Sequence, residues 1–128
     1  MGEGIKNYLE LKDLEAYKLA RLYSREAWVI YESLDWRQRK IIGDQTITSI
    51  DSVGANIAEG YGRFHYLDKI KFYYNARGSL LESRHWVNLM FERNLITEKH
   101  YQGLIHLTDQ VGMKLNGLIK SQHQRKQQ

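Results

Sequence analysis

The chain has no cysteine and no proline. Without cysteine, disulfides and thiolate metal sites are excluded. Without proline, the strongest helix breaker is missing and long uninterrupted helices are permitted. The opening stretch, MGEGIKNYLELKDLEAYK, has no apolar core of the signal-peptide kind. No window reaches the roughly 18 apolar residues of a membrane span, so a cytoplasmic protein is expected. Internal repeats and low-complexity linkers are absent as well.

What is present fits one all-α domain. The 128 residues are 42% apolar, enough for a core, and 27% charged, enough for a solvated surface. Four amphipathic patterns follow one another with short breaks. The first spans about 14–34, with Asp13 as expected N-cap and Ala16, Ala20, Tyr23, Ala27, Ile30 and Leu34 on one stripe. The second runs from a cap at Asp35 to about Gly62, with Ile47, Ile50, Gly54, Ile57 and Tyr61 in line. The third runs from about Tyr66 to Arg93 along Ile70, Tyr73, Ala76, Leu80, Val87 and Met90. The fourth follows an N-cap at Thr97 and aligns Tyr101, Leu104, Val111, Leu115 and Leu118. Short loops make neighbours antiparallel, so an up-and-down four-helix bundle over 13–121 is expected. Residues 1–12 would be an N-terminal extension. The basic tail 122–128 reads as a flexible, solvated end, with a binding arm as the alternative.

The second pattern is under-charged. Turning about 100° per residue, Gln45, Ser49, Ser52, Asn56, Glu59 and Arg63 form a polar stripe beside the apolar one. Thr48, Ala55, Ala58 and Gly62 line another face, and from Gln45 to Gly62 the formal charges are Asp51 and Glu59 alone. Contact on more than one side is the expected cause, with oligomer packing set against a wet groove in a monomer. Glu59 needs a cation, with Arg63, Arg77 and Arg84 as candidates. The stretch GYGRFH is neither a dinucleotide nor a phosphate loop, so Gly60 and Gly62 read as C-terminal capping before a reversal.

Catalytic patterns are scarce. Glu82 and His85 make a Glu-x-x-His, but di-iron bundles need two copies and further glutamates. No His-Glu-x-x-His and no Gly-x-Ser-x-Gly occurs. No enzyme activity, cofactor or metal is expected. The charge balance is +4, which permits an anionic partner without requiring one. For RNA the candidates are Arg37, Arg39, Lys40, Lys69, Lys71, Lys114 and Lys120, with Trp36 and Phe72 as stacking rings or packing residues.

SVGANIAEGYGR at 52–63 resembles the S-I-x-x-N-I-A-E-G-x-G-R signature of the four-helix-bundle family named for the intervening-sequence protein of 23S ribosomal RNA genes. FYYNARGSLLESRHWV at 72–87 is similar to that family's F-x-x-x-A-R-G-S-x-x-E segment. LEAYKLA at 14–20 is similar to its start, with Tyr17 in place of tryptophan, and LNGLIKS at 115–121 to its ending. The resemblance implies a left-handed up-down bundle without enzymatic activity that assembles as a ring, usually a homopentamer. More distant relatives are accessory proteins of diversity-generating retroelements, so structured RNA and a reverse transcriptase become expected partners. It places Ser52, Asn56, Glu59, Gly60, Gly62, Arg63, Arg77, Gly78, Ser79 and Glu82 at structural and interface positions. Thr48 stands where the family often has a basic residue, Gly54 where it has proline, and Asp51 adds an acid, so RNA binding transfers less directly onto the second helix. The alternative is a protein-interaction scaffold with no nucleic-acid contact.

Overall fold

The computed structural model describes residues 10–126. Most of the extension expected over 1–12, and the last two residues of the tail, lie outside them. After a 3-10 turn at Leu11–Asp13, helix α1 spans Glu15–Ser33. Helix α2 has three consecutive segments: Trp36–Gln38, a π-helical turn at Arg39–Gly43, and Asp44–Tyr61. Helices α3 and α4 span Tyr66–Glu92 and Glu98–Lys126. Helix α1 packs on α2 and α4, and α3 packs on the same two, which closes a four-helix bundle. Among the described residues there is no strand, and no helix is long and apolar enough to cross a membrane.

The core follows the three-and-four spacing. All six stripe residues of α1 and all six of α3 are buried. Burying an aliphatic side chain of this kind stabilises by roughly 1.5–3 kcal/mol. In α2 the buried face is rotated from the expected one. Thr46, Ser49, Val53 and Gly60 join Ile50 and Ile57 inside, whereas Ile47, Gly54 and Tyr61 are half-buried. The buried hydroxyls are satisfied along their own helix: Thr46 donates to Ile42 O at 2.9 Å and Ser49 to Thr46 O at 2.9 Å. A second polar pair crosses the core. Ser83 donates to Leu80 O at 2.7 Å, so the Tyr23 hydroxyl, 2.9 Å from Ser83 Oγ, is the donor between them. Burial pushes the Tyr23 hydroxyl above the usual tyrosine pKa.

The helix ends carry the remaining chemistry. Asp35 accepts from Gln38 N at 2.8 Å while Gln38 Oε1 accepts from Asp35 N at 2.9 Å, a reciprocal capping box. Thr97 caps α4 by accepting from His100 N at 3.1 Å. Asp13 does not cap α1; it ends the 3-10 turn, and Leu14 holds the N-cap position. Between α3 and α4, Asn94 takes φ 60°. The bonds Leu95 N to Met90 O and Asn94 N to Phe91 O close a Schellman motif there. Helix α4, expected to stop near Ser121, runs on to Lys126 because Gln122 continues its buried stripe after Ile119.

Candidate nucleic-acid interface

The connection between α2 and α3 sits at one end of the bundle, beside the end of α4. Helix α2 stops at Tyr61, with Gly62 as C-cap at φ −79°. Neither Gly60 nor Gly62 uses the left-handed freedom of glycine. Gly60 instead serves packing: a Cβ there would stand 2.7 Å from the Tyr73 ring and 3.1 Å from Phe72 Cβ. Lys69, one turn into α3, reaches back over the gap. Its ammonium donates to Tyr61 O at 2.9 Å and Gly60 O at 3.3 Å, a cation on the negative end of α2. Burial, and then the nearby charge of Arg125, hold its pKa below the usual lysine value.

The end of α4 is tied to this corner by His123. Its Nδ1 lies 2.5 Å from the Tyr66 hydroxyl and its Nε2 3.1 Å from that of Tyr74. Lys126 lies over the Tyr66 ring at 5.3 Å, so residues 122–126 continue α4 as a helical turn against α3. Cations and rings alternate around the corner. Arg63 stands 4.9 Å above the Phe72 ring, Lys71 stands 5.9 Å from it, and Arg77 covers Tyr74 at 4.8 Å.

The charge here is one-sided. On α2, its connection to α3, α3 and α4, this end holds Arg63, Lys69, Lys71, Lys120, Arg125 and Lys126 against Glu59 and Asp68. Glu59 is engaged by Arg63 at 2.6 Å. Among the described residues none of Lys71, Lys120, Arg125 and Lys126 pairs with a carboxylate. The start of α1 at this end is near neutral, with Lys18 on Glu15 at 3.3 Å.

The seven residues expected to meet RNA do not share one surface. Lys69, Lys71 and Lys120 belong to this end. Arg37, Arg39 and Lys40 lie at the opposite end, and Lys114 is exposed midway along α4. Arg39 is engaged by the fold, donating to Tyr31 O at 3.2 Å and Glu32 O at 3.0 Å. Trp36 is 75% exposed beneath Lys40, but also at the opposite end. Phe72 is half-buried.

Several family-motif residues are engaged by side chains or carbonyls of their own or a neighbouring helix. Asn56 donates to Ser52 O at 2.9 Å, and Glu59 takes Arg63 rather than a cation from α3. Arg77 donates to Asn116 at 3.1 Å and Arg84 to Asp109 at 2.7 Å, both on α4. Glu82 accepts from Trp86 at 3.1 Å, Ser79 is half-buried, and Gly78 faces open space. Among the described residues no three His, Asp or Glu side chains converge as a metal site.

Sequence reasoning missed Phe64, which projects from the connection 88% exposed. Its signal was legible: Phe64 falls after a glycine-ended helix and before the next helix starts, where neither helix can cover it. Arg125 and Lys126 were missed because the tail was read as solvated, although Leu115, Ile119 and Gln122 keep the helical spacing.

The family model described as 23S rRNA-intervening sequence protein matches residues 12–117. The crystal structure of a protein with unknown function from the S23 ribosomal protein family of Bacteroides thetaiotaomicron is similar in fold. Its TM-score is 0.76 at 22% identity, over 82% of this chain and 95% of that one. No curated protein matches.

Proposed function

Because the chain belongs to the 23S rRNA-intervening sequence protein family, we propose that it is a non-enzymatic, self-assembling module that holds RNA at the α2–α3 end of its bundle. The observation that carries this reading is the excess of unpaired cations there, interleaved with aromatic rings. Clustered Lys and Arg attract a polyphosphate backbone by releasing its counterions, and exposed rings accept bases. Assembly would multiply such a site around an axis, in the family resemblance a fivefold one. Self-association is supported by apolar side chains left in solvent on two helices, Leu22 and Val29 on α1 and Leu67, Tyr74 and Leu81 on α3. The three on α3 recur every seven residues, the spacing of a helix seam that lacks its partner. Two different patches favour head-to-tail contact, the arrangement from which rings are built.

The same apolar patches favour a second reading, a scaffold that binds protein and touches no nucleic acid. In the retroelement relationship the protein partner would be a reverse transcriptase. Light scattering with and without a structured RNA separates the readings. The first gives a multiple of 15.2 kDa that gains mass with RNA at low salt and loses it at high salt. An assembly that ignores RNA at low salt supports the second, and a monomer that ignores RNA removes the first altogether.

A further inference from the structure

Phe64 is the most exposed large apolar residue among those described. A phenylalanine held in water forgoes the stabilisation that burial would bring. Its ring and that of His65 stand edge to face, with centroids 5.2 Å apart and planes at 81°, and at 88% exposure the ring still offers an open face to solvent. It follows Arg63 directly, on a connection flanked by Lys69 and Lys71 of α3 and by Arg125 and Lys126 of α4. The other rings of this corner are already covered by cations or hydrogen-bonded. An open ring among unpaired cations suits a ligand that has a flat apolar face and a negative backbone at once.

Resting on the RNA reading above, we infer that Phe64 is a stacking platform for an unpaired base, so that this end of the bundle selects single-stranded over duplex RNA. The surrounding cations hold the phosphates on either side of the stacked nucleotide. A duplex meets the cations but not the ring, because its bases already stack on each other. A protein partner would accept the ring but would have to be acidic to meet its surroundings, and a second copy of this chain meeting it end to end would bring the same positive charge to the contact.

The test uses the full chain and a labelled, unstructured RNA of about twenty nucleotides, alone and annealed to its complement, read by fluorescence anisotropy at low salt. Phe64→Ala is expected to weaken single-strand binding about tenfold and to leave duplex binding and the salt dependence unchanged, with Phe64→Tyr restoring the affinity. Because Phe64 packs on little, the Ala variant is expected to keep its fold, which circular dichroism checks. If Phe64→Ala leaves single-strand affinity intact while Lys71→Ala weakens both forms, stacking is overturned and phosphate binding stands. A lowered assembly mass with unchanged RNA affinity makes the ring a protein contact and overturns the inference. Binding of neither RNA overturns the inference and the RNA reading together.

Discussion

The two ends of the bundle use the same residue types in opposite ways. At the end where α1 meets α2 and α3 meets α4, Arg37, Arg39, Lys40, Arg93 and Lys99 stand among Glu32, Asp35, Asp44, Glu92 and Glu98. Much of that charge serves the fold. Asp35 caps α2, Arg39 closes the last carbonyls of α1, and Asp44 accepts from the Tyr31 hydroxyl at 2.6 Å. At the α2–α3 end one cation, Lys69, closes a helix and one, Arg63, is paired, while four others face solvent without a carboxylate among the described residues. Balanced charge that satisfies helix ends is explained by stability. A one-sided surplus weakens stability through self-repulsion, and it is on this surplus that the proposed RNA site rests.

The largest expected effect separates the ends directly. Lys71→Glu combined with Arg125→Glu should weaken RNA binding about a hundredfold at low salt and lower the salt slope by about two. Arg37→Glu combined with Lys40→Glu, the same change of charge, should cost less than about threefold, because that end is neutral and offers no field to lose. Anisotropy titrations at several salt concentrations give both numbers. Equal losses at both ends would dissolve the distinction and leave a diffuse attraction set by net charge.

How much of this was legible in the sequence follows the same division. The four helices and the apolar members of the buried stripes of α1 and α3 were readable because apolar spacing decides them, whereas buried Ser83 of α3 was not. The buried face of α2 was not, because Thr46 and Ser49 enter the core with hydroxyls satisfied by their own helix, and periodicity counts hydroxyl residues as polar. The π-helical turn at Arg39–Gly43 adds a residue to one turn, burying Ile42 and exposing Ile41. That shifts the register in a way no fixed 3.6-residue wheel reproduces. The candidate site was half visible. Lys69 and Lys71 were found by charge, but the union of Arg63, Phe64, Lys71 and Arg125 depends on α4 docking beside the α2–α3 connection, a tertiary fact.

A second comparison uses one close-packed glycine near each end. At Gly60 a methyl group would strike the Tyr73 ring at 2.7 Å and 2.9 Å and Phe72 Cβ at 3.1 Å. The flat ring, itself buried, has nowhere to swing. At Gly43 the nearest atom, at 2.8 Å, is Leu34 Cδ1, the tip of a side chain that can rotate. Gly60→Ala is therefore expected to destabilise by about 2–3 kcal/mol and Gly43→Ala by less than about 1 kcal/mol. Urea unfolding with a common slope measures both. A reversed order would mean that Tyr73 yields and that the α2–α3 corner is the looser of the two.

The smallest effect concerns the tyrosine near each end. Burial pushes the Tyr73 hydroxyl up to about 12, reinforced by the neighbouring Tyr61. The Tyr31 hydroxyl is raised chiefly by its bond to Asp44. Both shifts favour the protonated form in the folded chain. The stability that each contributes is whole below the unfolded tyrosine pKa near 10 and is lost as pH rises toward the folded value. For Tyr73 the loss between pH 10 and 11 comes to about 1 kcal/mol. Tyr73→Phe, which keeps the ring against Gly60, should flatten the alkaline limb by that amount and leave the part due to buried Tyr23. The two causes also respond differently to salt. The contribution of Tyr31 rests on an exposed carboxylate and fades as salt screens it, whereas that of Tyr73 rests on dehydration and persists. Urea midpoints at pH 10 and 11, at low and high salt, separate them. A Tyr73→Phe chain with an unchanged alkaline limb would place the alkaline sensitivity at Tyr31 and Tyr23, and would leave the α2–α3 corner distinguished by its charge alone.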